Sequence, residues 1–202
     1  MIVTVTSHKG GCGKSMSAIH LAAFLTREFG EGSTVVVDAD PNGTVLGWQR
    51  RSKGRLPFPV VDPGEAAEAM GRHEHTVIDT QGRPRGEGLA RLVDGCDLLV
   101  VPSAPPPDDL EALMLMVADL EELGGRAAYR VLLTMVPWWN LDGPRAHRQL
   151  KKRGVPIFER SVRLRQAFRQ ASRHGVPVHE VDGRGARQGW EDYEAVGEEV
   201  VS

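Results

Sequence analysis

The run Ser7-His8-Lys9-Gly10-Gly11-Cys12-Gly13-Lys14-Ser15 lies between a short apolar stretch, Met1 to Thr6, and a segment of helical spacing, Met16 to Phe29. A glycine-rich turn between a strand and a helix is a place where backbone N–H groups converge on an anion. Glycine permits the turn and the close approach, and the helix N-terminus adds partial positive charge. In such a loop Lys14 is placed to reach the outer phosphates of a nucleotide, and the Ser15 hydroxyl to bind magnesium. Lys9, Gly10, Gly11, Cys12, Gly13 and Met16 complete the candidate cradle. The general template asks for a further glycine where this chain has His8, and a second lysine, Lys9, stands at the mouth of the loop. A plain glycine turn that happens to carry lysines is the competing reading. The flanking strand and helix favour the nucleotide site.

Working outward, Ser33 to Val37 is a continuous apolar run of the kind buried in parallel sheets, and Asp38 and Asp40 fall at its C-terminal end. Ligands of open parallel sheets bind at that edge. His75 to Asp79 is a second strand ending in an acid, which beside a phosphate loop is an expected magnesium anchor. Turn and helix-cap chemistry is the alternative for all three acids. Further strands are expected at Pro57–Val61, Leu98–Val101, Tyr129–Val136 and Val155–Phe158. Helices are expected at Thr44–Lys53, Glu65–Met70, Asp108 to about Leu123 with Gly124-Gly125 as the stop, Arg145–Arg153, Ser161–Arg173 and Gln188–Val201. The alternation predicts a single α/β domain over residues 1–202, a mostly parallel twisted sheet flanked by helices.

A chain of 202 residues has room for a substantial core, since roughly 70% of the unfolded surface is buried at this size. No run approaches the roughly 18 apolar residues that cross a membrane, and the start lacks the charged region that opens a signal peptide. The two cysteines, Cys12 and Cys96, cannot make a disulfide framework and show no metal spacing. A cytoplasmic setting is expected. Charge is segregated: Arg145 to Arg173 holds ten Lys or Arg and one acid, Glu159, while Glu191 to Ser202 holds five acids and no base.

Lys9 to Ser15 resembles the deviant Walker A motif of the ParA/MinD ATPases. Asp38-Ala39-Asp40-Pro41-Asn42-Gly43 resembles their second acidic motif, and Ile78-Asp79 their Walker B strand. The small size makes the chain similar to the short ParF-like partition ATPases. The resemblance covers nearly the whole chain and implies a P-loop NTPase fold with ATP and Mg2+ as cofactors. By that resemblance Lys14 binds the β- and γ-phosphates, Ser15 ligates magnesium, Asp79 holds it through water, and Asp38 supports the same region. Asp40 positions the attacking water. Lys9 crosses an ATP-dependent sandwich homodimer to the partner subunit's phosphates, where a cation supplied in trans neutralises charge on the phosphoryl oxygens. Met16 stands where the family has a hydroxyl residue, Gln81-Gly82 replaces a frequent proline pair, and Asn42 replaces a common Gln.

The resemblance further implies a slow, partner-stimulated ATPase that binds nonspecific DNA. Such an enzyme drives plasmid partition, chromosome segregation or the positioning of another cargo over the nucleoid, with a ParB-like or other adaptor protein. Arg160, Arg163, Arg165, Arg169 and Arg173 are the candidate DNA contacts, with Lys151, Lys152 and Arg153 behind them; a solvated basic helix face is the bland alternative. Other readings stay open on the same fold. A MinD-like membrane positioner uses a basic amphipathic C-terminal helix, against which the acidic Glu191 to Glu199 argues. An iron–sulfur reductase needs two cysteines near a dimer axis, and here only Cys96 lies outside the loop. A metabolic synthase or kinase would need a small-molecule co-substrate.

Overall fold

Six valine-rich strands form one parallel sheet in the computed structural model, which describes residues 1–124 and 128–202. They are β1 (Ile2–Val5), β2 (Thr34–Ala39), β3 (Val60–Val61), β4 (His75–Thr80), β5 (Leu98–Ser103) and β6 (Ala128–Leu133), in the order β3-β2-β4-β1-β5-β6. The helices are α1 (Lys14–Phe29), α2 (Thr44–Ser52), α3 (Ala66–Met70), α4 (Glu87–Asp94), α5 (Pro107–Glu122), α6 (Asp142–Lys152), α7 (Gln166–His174) and α8 (Arg184–Val201). A 3-10 turn, Val178–Glu180, joins α7 to α8. The expected single α/β fold is therefore present. The glycine stop falls partly outside the described residues: Gly124 adopts φ 61, and Gly125 lies among those not described.

Successive strand residues point to opposite faces, and the two cores record it. Leu98, Val100 and Leu132 pack with α1, α2, α7 and α8, whereas Leu99, Val101, Val131 and Leu133 pack with α4, α5 and α6. Helix α1 is buried almost all round because the sheet lies on one side and α8 on the other. Gly197 makes the α1–α8 approach possible, since a Cβ there would fall 2.3 Å from the Phe24 ring. The apolar face of α8, including Trp190, Tyr193 and Val196, is buried in this packing, each large side chain contributing about 1.5–3 kcal/mol. That face is committed to the core. No described helix is long and apolar enough to cross a membrane.

The region after α6 departs from expectation. Instead of a strand at Val155–Phe158 and a helix from Ser161, residues 156–164 run along β6 as an interrupted edge. The bonds are Val131 N–H to Pro156 O (2.8 Å), Phe158 N–H to Val131 O (3.0 Å), Val162 N–H to Leu133 O (2.8 Å) and Leu164 N–H to Val136 O (2.9 Å). At the break the Glu199 carboxylate accepts the Glu159 and Arg160 N–H groups at 3.0 Å each, so the acidic end of α8 completes the edge. Helix α7 starts only at Gln166. Helix α4, not foreseen, has Gly86 and Gly88 at its start and buries only Leu89 and Val93 fully.

Candidate nucleotide and magnesium site

The loop of residues 7–13 joins the C-terminal end of central β1 to α1, with β4 and β5 on either side. Gly11 (φ 78) and Gly13 (φ 89) take the left-handed conformation that lets the chain double back. No side chain caps α1, so its first N–H groups remain available to an anion beside Gly13. Lys14 opens the helix, is 9% exposed, and is not ion-paired among the described residues. Cys12 is buried under the loop, its thiol on Ser7 Oγ (3.0 Å) and Lys9 O (3.2 Å). Thr134, beyond β6, donates to Cys12 O at 2.7 Å and ties the loop to the far side of the site. The Met16 side chain packs against the core formed by α1.

The parallel register brings the acids together. Asp38 on β2 is the direct neighbour of Asp79 on β4. The Ser15 hydroxyl donates to Asp79 Oδ2 at 2.5 Å. Asp79 is fully buried and its Oδ1 has no hydrogen-bond partner. Burial pushes its carboxyl up to about 7, against the lowering effect of the Ser15 hydrogen bond, while the Asp38 charge adds to the rise. An orphaned carboxylate oxygen beside a serine hydroxyl and a second carboxylate fits a hard divalent cation, which would restore the ionised form. Asp38 also does the capping work foreseen as its alternative role. Its Oδ2 accepts the Leu46 N–H (2.8 Å), and its Oδ1 accepts the Asp40 N–H (3.3 Å). Asp40 closes an Asx turn, Oδ1 accepting from Asn42 N (2.9 Å) and Nδ2 (2.8 Å).

Lys9 takes a different direction from Lys14. Its ammonium donates to Asp109 Oδ2 at 2.7 Å, at the start of α5, and the side chain is 38% exposed. Asp109 was not foreseen as a site residue. Arg83, also unforeseen, holds φ 64 while its N–H donates to Ser7 O (2.8 Å) and its Nε to His8 O (3.2 Å). His8 reaches Pro84 O at 3.1 Å, so the segment after β4 is laced to the phosphate loop.

The basic segment is not one surface. Arg145, Arg148 and Lys152 ride on α6, on the α4–α5 side of the sheet, whereas Arg169 and Arg173 ride on α7, on the α1–α2–α8 side. Arg160 pairs with buried Asp192 at 2.8 Å, and Arg165 with the same carboxylate at 3.6 Å and with Gln188 at 2.8 Å. Asp192 also accepts the Arg163 N–H at 3.2 Å. Arg160 and Arg165 thus neutralise a buried acid, Arg160 while still exposed, whereas Arg163, Arg169 and Arg173 are exposed and have no carboxylate partner for their side chains among the described residues.

Comparison with known proteins agrees with this geometry. Residues 3–178 match the family model described as the CobQ/CobB/MinD/ParA nucleotide binding domain. "Maintenance of carboxysome distribution protein A" of Gloeobacter kilaueensis is 33% identical over 205 residues, covering 98% of this chain and 93% of its own. "Protein ParA" of Rhizobium radiobacter is 25% identical over 203 residues, covering 91% and 87%. A putative plasmid partition protein of Borrelia burgdorferi B31, solved bound to AMPPNP, superposes with a TM-score of 0.74 at 15% identity, covering 98% of both chains. The chain belongs to the ParA/MinD family of P-loop nucleotide-binding domains.

Proposed function

We propose that this protein is an ATP-driven positioning switch. Its ATP-bound form is a sandwich dimer that binds DNA without sequence preference and moves DNA or another cargo over the nucleoid, and an adaptor protein stimulates its slow hydrolysis. The observation that carries this reading is the division of labour between two lysines. Lys14 is buried at the head of α1, where phosphates of the chain's own nucleotide would lie. Lys9 stands outside that cradle, half-exposed and directed away from it. The relatives' names support both a carboxysome and a ParA setting for the cargo.

In this reading Lys14 binds the β- and γ-phosphates, and Ser15 with Asp79 holds magnesium, Asp38 lying behind them. The ion, when bound, supplies charge neutralisation at the phosphates. Asp40, at the mouth of the site, orients water for attack. Lys9 of each protomer reaches the other's phosphates, which makes association depend on nucleotide. Lys9→Ala is expected to bind nucleotide as the parent does but to lose dimerisation and stimulated turnover. Unchanged stimulated turnover would refute the trans role, and absence of magnesium-dependent ATP turnover in the parent would refute the ATPase reading.

A further inference from the structure

The chain's tertiary packing assembles a cationic face that no linear stretch of sequence contains. Helix α7 lies against α2, and the approach is close because Gly175, the residue ending α7 (φ 68), has no Cβ. One added there would fall 2.3 Å from Trp48 O and 2.5 Å from Ser52 N. The end of α2 and the turn after it carry Arg50, Arg51, Lys53 and Arg55, all exposed, with no acid between Asp40 and Asp62. Two of them are fastened to the last turn of α7. Arg51 Nε donates to Ser172 O at 2.9 Å, and Arg55 donates to His174 O at 3.2 Å. Helix α7 presents Arg169 and Arg173 from the same junction.

None of these six cations pairs with a carboxylate among the described residues. Arg51 and Arg55 also satisfy carbonyls at the C-terminus of α7, a structural role for one edge of each guanidinium. A guanidinium has five N–H donors, so this leaves others for a ligand. Glu180 and Asp182 line the cleft shared by Arg55 and Arg173, and Glu180 is turned to His179 at 3.5 Å.

We infer that the α2 end and α7 together form the surface that binds the phosphate backbone of duplex DNA, to the exclusion of α6. The inference rests on the DNA-binding reading above and relocates it. Six unpaired cations fixed by two packed helices suit a polyanion of regular charge spacing, and Arg in particular suits phosphate. The α6 cations ride on the α4–α5 side of the sheet, where Arg148 lines a cleft with Arg160 and Arg163, and Lys151 among them is engaged by Glu159.

The test uses the full chain with magnesium and a non-hydrolysable ATP analogue, titrated into a short fluorescent duplex of random sequence at several salt concentrations. R50Q/K53Q avoids the two arginines that hold α7, and R145Q/R148Q removes charge from α6. The α2 pair is expected to lower the slope of log affinity against log salt by about 1.8, at about 0.9 for each phosphate that is no longer neutralised, and R169Q/R173Q by a similar amount. The α6 pair is expected to leave the slope unchanged, and nucleotide affinity is expected to be unchanged in all three. A slope lowered by the α6 pair and not by the α2 pair would overturn the inference while leaving DNA binding intact. Absence of duplex binding by the parent, or binding to anionic phospholipid vesicles instead, would overturn both.

Discussion

Replacing Asp109 with Asn should tighten the ATP-dependent dimer. The Lys9–Asp109 pair is 2.7 Å long, with side chains 38% and 14% exposed, so it belongs at the upper end of the range for surface pairs, about 1 kcal/mol. If Lys9 must leave Asp109 to cross to the other protomer, two such pairs break per dimer, opposing association by about 2 kcal/mol. At 1.4 kcal/mol per tenfold, their removal should lower the dimer dissociation constant by roughly 25-fold. Sedimentation velocity over a concentration series, with magnesium and a non-hydrolysable ATP analogue, reads this directly. D108N, which changes the exposed neighbour, is the control and should leave the constant unchanged. Loss of Asp109 also removes an acid from the first turn of α5, a stability cost of about 0.3–1 kcal/mol that thermal melts would register separately. A dimer constant that is unchanged or weaker in D109N would refute the idea that Asp109 restrains Lys9.

Asp40→Ala should retain nucleotide and dimerise, yet lose at least about 100-fold in turnover, measured as phosphate release against nucleotide binding; full turnover would remove Asp40 from water positioning. His20 is fully buried, Nδ1 on Met16 O (2.7 Å) and Nε2 accepting the Val178 N–H (3.0 Å), and burial lowers its pKa to about 3. The unfolded chain therefore binds the extra proton below about 6.5, so His20's contribution is intact above that pH and is lost as pH falls toward 3, by about 2 kcal/mol at pH 5. Urea melts at pH 7 and pH 5 should show that part of the loss vanish in His20→Gln, whereas identical pH dependence would contradict it. Gly197→Ala should cost about 1–3 kcal/mol by driving a methyl into Phe24, lowering Tm by roughly 3–10 °C; an unchanged melt would show that α8 can shift.

The phosphate loop and the acids at strand ends were legible because local rules govern them: a glycine run between strand and helix, and carboxylates closing buried valine strands. Their mutual placement follows from the parallel register of β2 on β4, which sets Asp38 beside Asp79. What stayed hidden depends on residues far apart in sequence. Nothing near Asp109 marks it as the partner of Lys9, a hundred positions earlier. Arg83, in a left-handed conformation unusual for a residue with a Cβ, carries no local signal either. The dense run of arginines is dispersed by the fold. Charge clustered along the chain became charge divided between two faces of the sheet, with Arg160 and Arg165 paired to Asp192. The segment beginning at Ser161 has helical composition, but its N–H groups are taken by Leu133 O, the Asp192 carboxylate and Val136 O, so edge pairing prevails over propensity until Gln166.

Helix α2 has a mechanical consequence. Its first turn is held by Asp38, directly after the Asp40 turn at the mouth of the site, and its last turn is clasped to α7. Nine residues at 1.5 Å each make it a rigid rod of about 13 Å with one end at the chemistry and the other at the cationic face. On the reading proposed above, a tilt at the Asp40 end, of the kind a change in the outermost phosphate would impose, would be carried along the rod to the α2–α7 junction that holds the cations. Hold on the polyanion would then be timed by the nucleotide through a single lever, without any rearrangement of the sheet.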